Sequence, residues 1–244
     1  MKQTALLIQP GAFGDIITCA PIAKHFSDKG IEVHWAVHEK YKEHLESITS
    51  SDVTPIILDE LEIPEGADWL RLAAYQCYAM ADKFTKVIDL ADRHPYATYQ
   101  FPNEVPEETK YRLLGLPLSI KHTLTWERNI KKEKSLYSEV VGDTEEYVIA
   151  ALVSSHEDKA EMPKEETRKV IEITPREGYN IVDWFEVIKG AKDVYCVESA
   201  IQCFVDGCRS RLPSTQTQYL LKRTCIPKGG KRHTVAKNWN LSYF

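Results

Sequence analysis

The amino-acid sequence predicts an α/β protein of two units, each with a parallel sheet wound by helices on both faces. Two observations predict this class. Short apolar runs alternate with helical stretches twice along the chain, which is typical of parallel sheets. The first apolar run also breaks at Pro10-Gly11 and leads through a second glycine into a helix. Parallel sheets bind ligands beyond the carboxyl ends of their strands, at turns of this kind.

The first half of the chain contains four apolar runs that alternate with helical stretches. Continuous apolar character is typical of strands that are covered on both faces. Gly115-Leu116-Pro117 follows the last helical stretch, and glycine followed by proline commonly ends a helix. We predict strands over an apolar run from residue 4 and over 31–37, 53–58 and 86–91, and helices over 16–30, 39–48, 67–83 and 107–116.

A second, shorter series follows residues 117–146, a stretch of mixed polarity that is rich in charge. We therefore expect two Rossmann-like domains, the second of them reduced in size. The predicted strands are 147–155, 169–175, 193–199 and one near 218–223, and the predicted helices are 181–189 and 200–207. The predicted organisation is an N-terminal domain over 1–120, a linker over 121–146, a C-terminal domain over 147–225 and a basic tail over 226–244.

The composition is ordinary for a soluble globular protein. Of 244 residues, 43% are hydrophobic and 27% are charged, which argues against a disordered chain or a coiled coil. No apolar run approaches the roughly 20 residues of a membrane span, and the N-terminus lacks a signal-peptide pattern, so we expect a cytoplasmic protein. The six cysteines show no CxxC spacing, so we expect neither disulfides nor a metal site.

Charge is distributed unevenly along the chain. Residues 207–244 contain eight Lys and Arg residues, whereas all 36 Asp and Glu residues lie within 1–206. A segment this basic indicates an anionic partner. That partner could be a phosphate group, a nucleic acid or the acidic remainder of the same chain, and the sequence leaves all three open.

Asp15 is a candidate catalytic residue. It lies near the first turn of the helix that follows Pro10-Gly11, where the peptide dipoles favour an ionised carboxylate. Such a carboxylate at the mouth of a parallel sheet could act as a general base. It could equally well cap the helix, and the local sequence does not decide between the two roles.

Two segments resemble a known family. The opening PGAFGDIITCAPIAKHF resembles the GxxGD N-terminus of heptosyltransferase-type proteins, glycosyltransferase family 9, and NIVDWFEVIKGAKDVYCVESAIQCFVDG is similar to the donor-site strand and helix of that family. The resemblance implies the GT-B fold, two Rossmann-like domains that face each other across a cleft. Because the chain is short for this class, we expect a minimal or phage-type member.

The resemblance also implies roles for particular residues. Asp15 matches the catalytic base, and the turn from Gly11 to Gly14 would let substrates approach the backbone closely. Donor-binding positions then fall on Gly11, Gly14, Ser154, Ser155, Lys159, Thr174, Pro175, Glu198, Ser199 and Ala200, and acceptor-binding positions on Phe13, Arg93 and His94. The sequence departs from the family at Glu198, which replaces an aspartate, at Ala200, which replaces a glycine, and in lacking a histidine shortly afterwards. The donor therefore need not be an ADP-heptose.

The function that the resemblance implies is inverting, metal-independent transfer of a sugar from a nucleotide sugar to a hydroxyl group. The acceptor is a saccharide or, given the basic tail, a hydroxylated base in phage DNA within the host cytoplasm. The nucleotide sugar is a co-substrate, and no further cofactor is expected. A non-catalytic module that binds nucleotide sugars or nucleic acid is the main alternative. An NAD-dependent oxidoreductase is disfavoured, because GAFGD does not match GxGxxG and Asp15 would repel a pyrophosphate.

Overall fold

The structure is a computed structural model, which describes residues 2–49, 53–58, 69–91, 106–153, 160–221 and 239–242. The chain divides into two compact units, Met1–Glu127 and Arg128–Phe244. Each unit is built on a sheet whose strands all pair in parallel. The predicted class of two parallel-sheet α/β units is therefore confirmed.

The first unit contains β1 (Thr4–Ile8), α1 (Phe13–Ser27), β2 (Glu32–His38), α2 (Lys42–Ile48), β3 (Val53–Leu58), α3 (Trp69–Tyr78), β4 (Lys86–Asp89) and α4 (Pro106–Leu113). Its strands lie in the order β3-β2-β1-β4. Strand β1 is interior, and its residues from Ala5 to Ile8 are fully buried. The indole of Trp35 donates a hydrogen bond to the carbonyl oxygen of Gln9 (3.0 Å), which ties the end of β1 to its neighbour β2.

The second unit contains α5 (Ile130–Val140), β5 (Tyr147–Ala151), β6 (Lys169–Glu172), α6 (Phe185–Gly190), β7 (Asp193–Cys196), α7 (Ala200–Gly207), β8 (Thr217–Leu221) and β9 (Asn240–Ser242). Its strands lie in the order β6-β5-β7-β8-β9. Every residue of β5 is buried, as expected for a parallel strand that is covered on both faces.

Helix α5 lies inside the segment 121–146, for which the sequence suggested only a linker. The helix packs against α6, and its charged side chains find partners within the unit. Glu133 is almost fully buried and accepts hydrogen bonds from Arg128, and Lys132 lies 3.0 Å from the buried carboxylate of Asp183. The charges that suggested a solvated linker therefore form ion pairs that attach the helix to the second unit.

The predicted ends of the strands and helices agree with the structure less closely than the predicted types do. The strands predicted over 86–91 and 169–175 end at Asp89 and Glu172. The predicted stop at Gly115 agrees with the structure, because α4 ends at Leu113 and Gly115 has a φ of +65°, a conformation that glycine adopts without steric cost. None of the helices in the described part of the chain is both long enough and apolar enough to cross a bilayer.

Candidate functional site

Asp15 lies beyond the carboxyl end of β1, in the first turn of α1. Residues 9–12 connect the strand to the helix, and the backbone N–H of His38 donates to the carbonyl of Pro10 (3.0 Å), so this turn lies beside the end of β2. The N-cap residue of α1 is Ala12, which has no side-chain capping bond. Among the described residues, Asp15 bonds only to Lys110. Asp15 therefore makes no capping hydrogen bond to the described residues of α1, and its role as a base stays a prediction.

Lys110 of α4 forms an ion pair with Oδ1 of Asp15. The lysine side chain is 6% exposed, whereas that of Asp15 is 34% exposed. The same ammonium donates to Oε1 of Gln9 (3.0 Å), and the amide nitrogen of Gln9 donates to the carbonyl of Gly11. We name these three residues, Gln9, Asp15 and Lys110, the base cluster. It combines a buried cation with a carboxylate that solvent or a ligand can reach.

The side chain next to Lys110 fixes α4 against α1. Tyr111 is 1% exposed, and its hydroxyl donates to the backbone carbonyl of Thr18 in α1 (2.7 Å). The carbonyl of Tyr111 accepts in turn from the backbone N–H of Leu116 (2.9 Å), in the turn that ends α4. Lys110 therefore projects from a helix that is attached to the helix carrying Asp15.

An aromatic pair lies next to Asp15 in the chain. The ring of Phe13 stacks on the imidazole of His44, with ring centroids 4.1 Å apart and planes inclined at 21°. Tyr41 contacts the same imidazole in a tilted arrangement. Burial lowers the pKa of His44 below its ordinary value of 6.5, which favours a neutral ring in the stack. Phe13, which the resemblance assigns to the acceptor, thus has a firm support on one face.

In the second unit, three of the predicted donor positions surround the start of α7. Ser199 is the N-cap residue, and its hydroxyl accepts a hydrogen bond from the backbone N–H of Gln202 (3.4 Å). Glu198 is half-buried immediately before it, and Ala200 is the first helical residue. The helix N-terminus carries partial positive charge and so suits an anion.

Thr174 and Pro175 lie at the same edge of the second sheet as Ser199. They follow β6 and are exposed. Backbone bonds from Ile173 to Ala150 (2.8 Å) and from Val197 to Ala151 (2.9 Å) place the ends of β6 and β7 on either side of β5. These predicted donor residues therefore follow two strands that both pair with β5.

Several predicted positions lie outside the described residues. They are the donor positions Ser154, Ser155 and Lys159, the acceptor positions Arg93 and His94, and most of the basic tail. Among the residues that the structure does describe, no three His, Cys, Asp or Glu side chains come together as metal ligands.

The second unit also contains a cavity of about 540 Å³, lined by residues between Arg209 and Gln218 and by Asn240. It lies where β8 and β9 begin. Because all strands of this sheet run in the same direction, the beginnings of β8 and β9 are at the edge opposite Ser199. The cavity therefore includes none of the predicted donor or acceptor positions, although its lining belongs to the basic segment 207–244.

Gln9, Lys110 and His44 are the residues of this region that sequence reasoning missed. Lys110 is 95 residues from Asp15 in the chain, and no local pattern links the two. The structure buries Thr109, Lys110 and Tyr111, and a buried lysine requires a partner, but the sequence around Lys110 is polar and does not reveal this burial. Gln9 does give a weak signal in the sequence, as a polar residue directly after the apolar run 5–8.

Comparisons with known proteins identify the fold. Neither protein-family models nor curated protein sequences match this chain. Among solved structures, it is similar to a glycosyltransferase family 9 protein from Veillonella parvula, with a TM-score of 0.55 and 12% identity over 90% of this chain and 81% of the other. It is also similar to E. coli heptosyltransferase WaaC with ADP-2-deoxy-2-fluoro heptose, with a TM-score of 0.50 and 13% identity over 98% of this chain and 93% of the other.

Identities this low show a likeness of fold, and function must be argued from the site. The resemblance to glycosyltransferase family 9 that the two sequence motifs predict is confirmed at the level of the fold: the chain has the two-unit, Rossmann-like architecture of these glycosyltransferase structures.

Proposed function

We propose that this protein is an inverting glycosyltransferase that moves a sugar from a nucleotide sugar to a hydroxyl acceptor, with Asp15 as the general base. The observation that carries the proposal is the position of Asp15, a partly exposed carboxylate in the first turn of α1 beyond the end of an interior parallel strand. Parallel sheets bind substrates at this edge. The similarity in fold to two glycosyltransferase structures supports the same reaction class.

In the proposed reaction, Asp15 accepts the proton of the acceptor hydroxyl. The acceptor oxygen forms a bond to the anomeric carbon while the bond from that carbon to the diphosphate oxygen breaks. The bonding electrons leave with the nucleoside diphosphate. A single displacement of this kind inverts the anomeric configuration, which NMR of the product would detect.

The donor diphosphate would be bound by the second unit. The N-terminus of α7 at Ser199 supplies partial positive charge for the departing anion, and Glu198 and Thr174 supply groups for the sugar and the nucleoside. Lys159 or a lysine of the basic tail would add a cation. The proposal includes no metal, so turnover should be unchanged in EDTA.

The acceptor is proposed to bind beside Phe13, whose ring is supported by His44. A sugar or a nucleobase could stack on such a ring, so both acceptor classes remain proposals. The basic tail favours DNA as the second candidate, because cationic segments bind the phosphate backbone. DNA binding should weaken steeply as salt rises, whereas binding of a neutral saccharide should not.

The first experiment is a thermal-shift screen of the purified protein against UDP-, ADP-, GDP- and CMP-sugars and NAD. The similar heptosyltransferase structure contains an ADP-heptose analogue, so ADP-sugars head the series. A one-site ligand at 100 times its Kd stabilises a protein by about 2.7 kcal/mol. Stabilisation by one nucleotide sugar supports the transferase and names its donor, and stabilisation by NAD alone would overturn it.

A donor-binding protein without activity would be a binding module, the other class that the sequence allows. The variant Asp15→Asn separates the two classes once a donor is known. In an enzyme it lowers the rate of nucleoside diphosphate release by about 10²- to 10⁴-fold but spares donor binding. In a binding module the unaltered chain has no such release to lose.

A further inference from the structure

Among the described residues, Asp15 forms its ion pair with Lys110 of helix α4, which lies 95 residues away in the chain. We propose that Lys110 is a positioning residue for the general base: it holds Oδ1 of Asp15 and leaves Oδ2 to accept the acceptor proton. This inference rests on the proposed function, because a base needs positioning only if Asp15 performs the proton transfer.

The donor and acceptor atoms of the base cluster fit one arrangement. The ammonium of Lys110 can only donate, and it donates to Oε1 of Gln9 and to Oδ1 of Asp15. The amide nitrogen of Gln9 must then face an acceptor, which is the carbonyl of Gly11. If the amide of Gln9 were reversed, its nitrogen would face the ammonium of Lys110, which also donates, and its oxygen would face the carbonyl oxygen of Gly11. The cluster therefore fixes where the ammonium lies.

The two oxygens of Asp15 are in different situations. Oδ1 is held by a buried cation, whereas Oδ2 receives no hydrogen bond from any described residue, and the side chain as a whole is one-third exposed. An acceptor hydroxyl can therefore approach Oδ2 without displacing an existing bond. Because α4 is attached to α1 through Tyr111 and Thr18, the carboxylate is held in one orientation before substrate binds, which is the condition for efficient proton transfer.

The ion pair also changes the local charge. A lone carboxylate would repel the diphosphate of an approaching donor, the objection raised above to pyrophosphate at Asp15. With Lys110 in contact, the pair is neutral overall, and its cation is almost fully buried. Lys110 thus reduces the repulsion between Asp15 and an anionic substrate.

The test compares Lys110→Met, which keeps the length of the side chain and removes its charge, with Lys110→Arg, which keeps the charge. Lys24→Met is the matched control, because Lys24 forms an exposed ion pair with Asp28 (2.6 Å) in the last turn of the same helix α1. Each variant is assayed with the nucleotide sugar that the thermal-shift screen selects. The kcat, the KM and the unfolding midpoint are measured for each.

We expect Lys110→Met to lower kcat at least tenfold, with a smaller change in the KM for the acceptor, and Lys110→Arg to restore part of the loss. Lys24→Met should match the parent. In an Asp15→Asn background, Lys110→Met should cause no further loss of kcat, because Lys110 acts through Asp15. An unchanged kcat in folded Lys110→Met, or an equal loss in both backgrounds, would overturn the proposal.

The unfolding midpoints test the contact between Lys110 and Asp15 without using activity, so they distinguish a failure of the positioning role from a failure of the proposed function. The shifts caused by Asp15→Asn and Lys110→Met should be non-additive, because each variant breaks the same ion pair. If the parent neither binds nor turns over any nucleotide sugar, the proposed function fails while the ion pair stands. Additive shifts would show that Lys110 does not hold Asp15, and the positioning role would then fail on its own.

Discussion

Asp15 in the first unit and Glu166 in the second are both carboxylates paired with a cation, but they lie at opposite ends of their sheets. Asp15 follows β1 at its carboxyl end. Glu166 precedes β6, and its partner Arg168 also contacts Asp193, the first residue of β7 (2.6 Å). The second network therefore lies at the amino ends of its strands, where parallel sheets seldom bind ligands.

The two carboxylates differ most in the number of hydrogen bonds that they accept. Glu166 accepts from the backbone N–H of Arg168 (3.0 Å), from its guanidinium (2.7 and 2.5 Å) and from the hydroxyl of Tyr195 (3.0 Å), and its side chain is 5% exposed. Among the described residues Asp15 has one partner, on Oδ1, and its side chain is 34% exposed. A fully bonded carboxylate stabilises a fold, whereas one with an open oxygen can still accept a proton.

The largest expected effect is on activity, from Asp15→Asn. If Asp15 is the base, its loss lowers kcat by about 10²- to 10⁴-fold, the usual contribution of a general base. It also lowers the free energy of unfolding, because the buried ammonium of Lys110 loses its carboxylate partner. Steady-state kinetics and urea unfolding measure the two quantities. Glu166→Gln is the comparison, because it should lower the free energy of unfolding and leave kcat per folded molecule unchanged. The reverse pattern would contradict the assignment of the two carboxylates.

Removing the cation of the second network should have the next largest effect. Arg168→Met leaves two poorly solvated carboxylates, Glu166 and Asp193, without their shared partner. Breaking such a pair from one side costs about 3 to 5 kcal/mol, which urea unfolding would report. Lys192→Met is the control within the same unit, since its ion pair with Glu146 is well exposed (3.3 Å) and should contribute less than about 1 kcal/mol. Equal losses in the two variants would show that burial does not set the difference.

The fold was largely predictable, because continuous apolar runs such as 147–151 and the Pro10-Gly11 break are local signals of parallel strands and of the turn after them. The position of Asp15 in the first turn of the helix after this break was predictable for the same reason. Lys110 was not, since its contact with Asp15 spans 95 residues and depends on how α4 packs on α1. Helix α5 was missed because Glu133 and Lys132 suggest solvent exposure by residue type, although the fold pairs both of them.

The stability that Glu166 contributes to the second unit should depend on pH. Hydrogen bonds from Arg168 lower the pKa of Glu166 to about 2, from an ordinary value of 4.5. Because the folded value is below the unfolded value, this stabilisation is complete above pH 4.5 and is lost as the pH falls from about 4.5 to 2. The whole change amounts to about 3 kcal/mol. Amide hydrogen exchange in β6 and β7 at several pH values would measure it.

The control for this titration is Glu166→Gln, which removes the titrating group. The variant should be less stable than the parent near pH 7, and the difference between them should shrink as the pH falls below 4.5. A difference that stays constant with pH would mean that Glu166 is not the group responsible.

The smallest effects concern the helices that begin at the carboxyl edges of the two sheets. Helix α7 has a hydroxyl cap, since Ser199 accepts from the backbone of Gln202, and Ser199→Ala should lower the free energy of unfolding by about 1 kcal/mol. Ser199→Thr should retain most of that stability, because threonine also caps. Thermal or urea unfolding of the two variants would test this, and an equal loss in both would show that the hydroxyl does not act as a cap.

Helix α1 begins without such a cap, although Ala12 has the extended backbone that a cap residue requires (φ −77°, ψ 177°). Ala12→Ser should therefore raise the free energy of unfolding by up to about 1 kcal/mol. If the uncapped amides of α1 face a substrate beside Asp15, the new hydroxyl would occupy them, and kcat/KM would fall while stability rises. A variant that gains stability and keeps full activity would show that the first turn of α1 contributes only its carboxylate to the reaction.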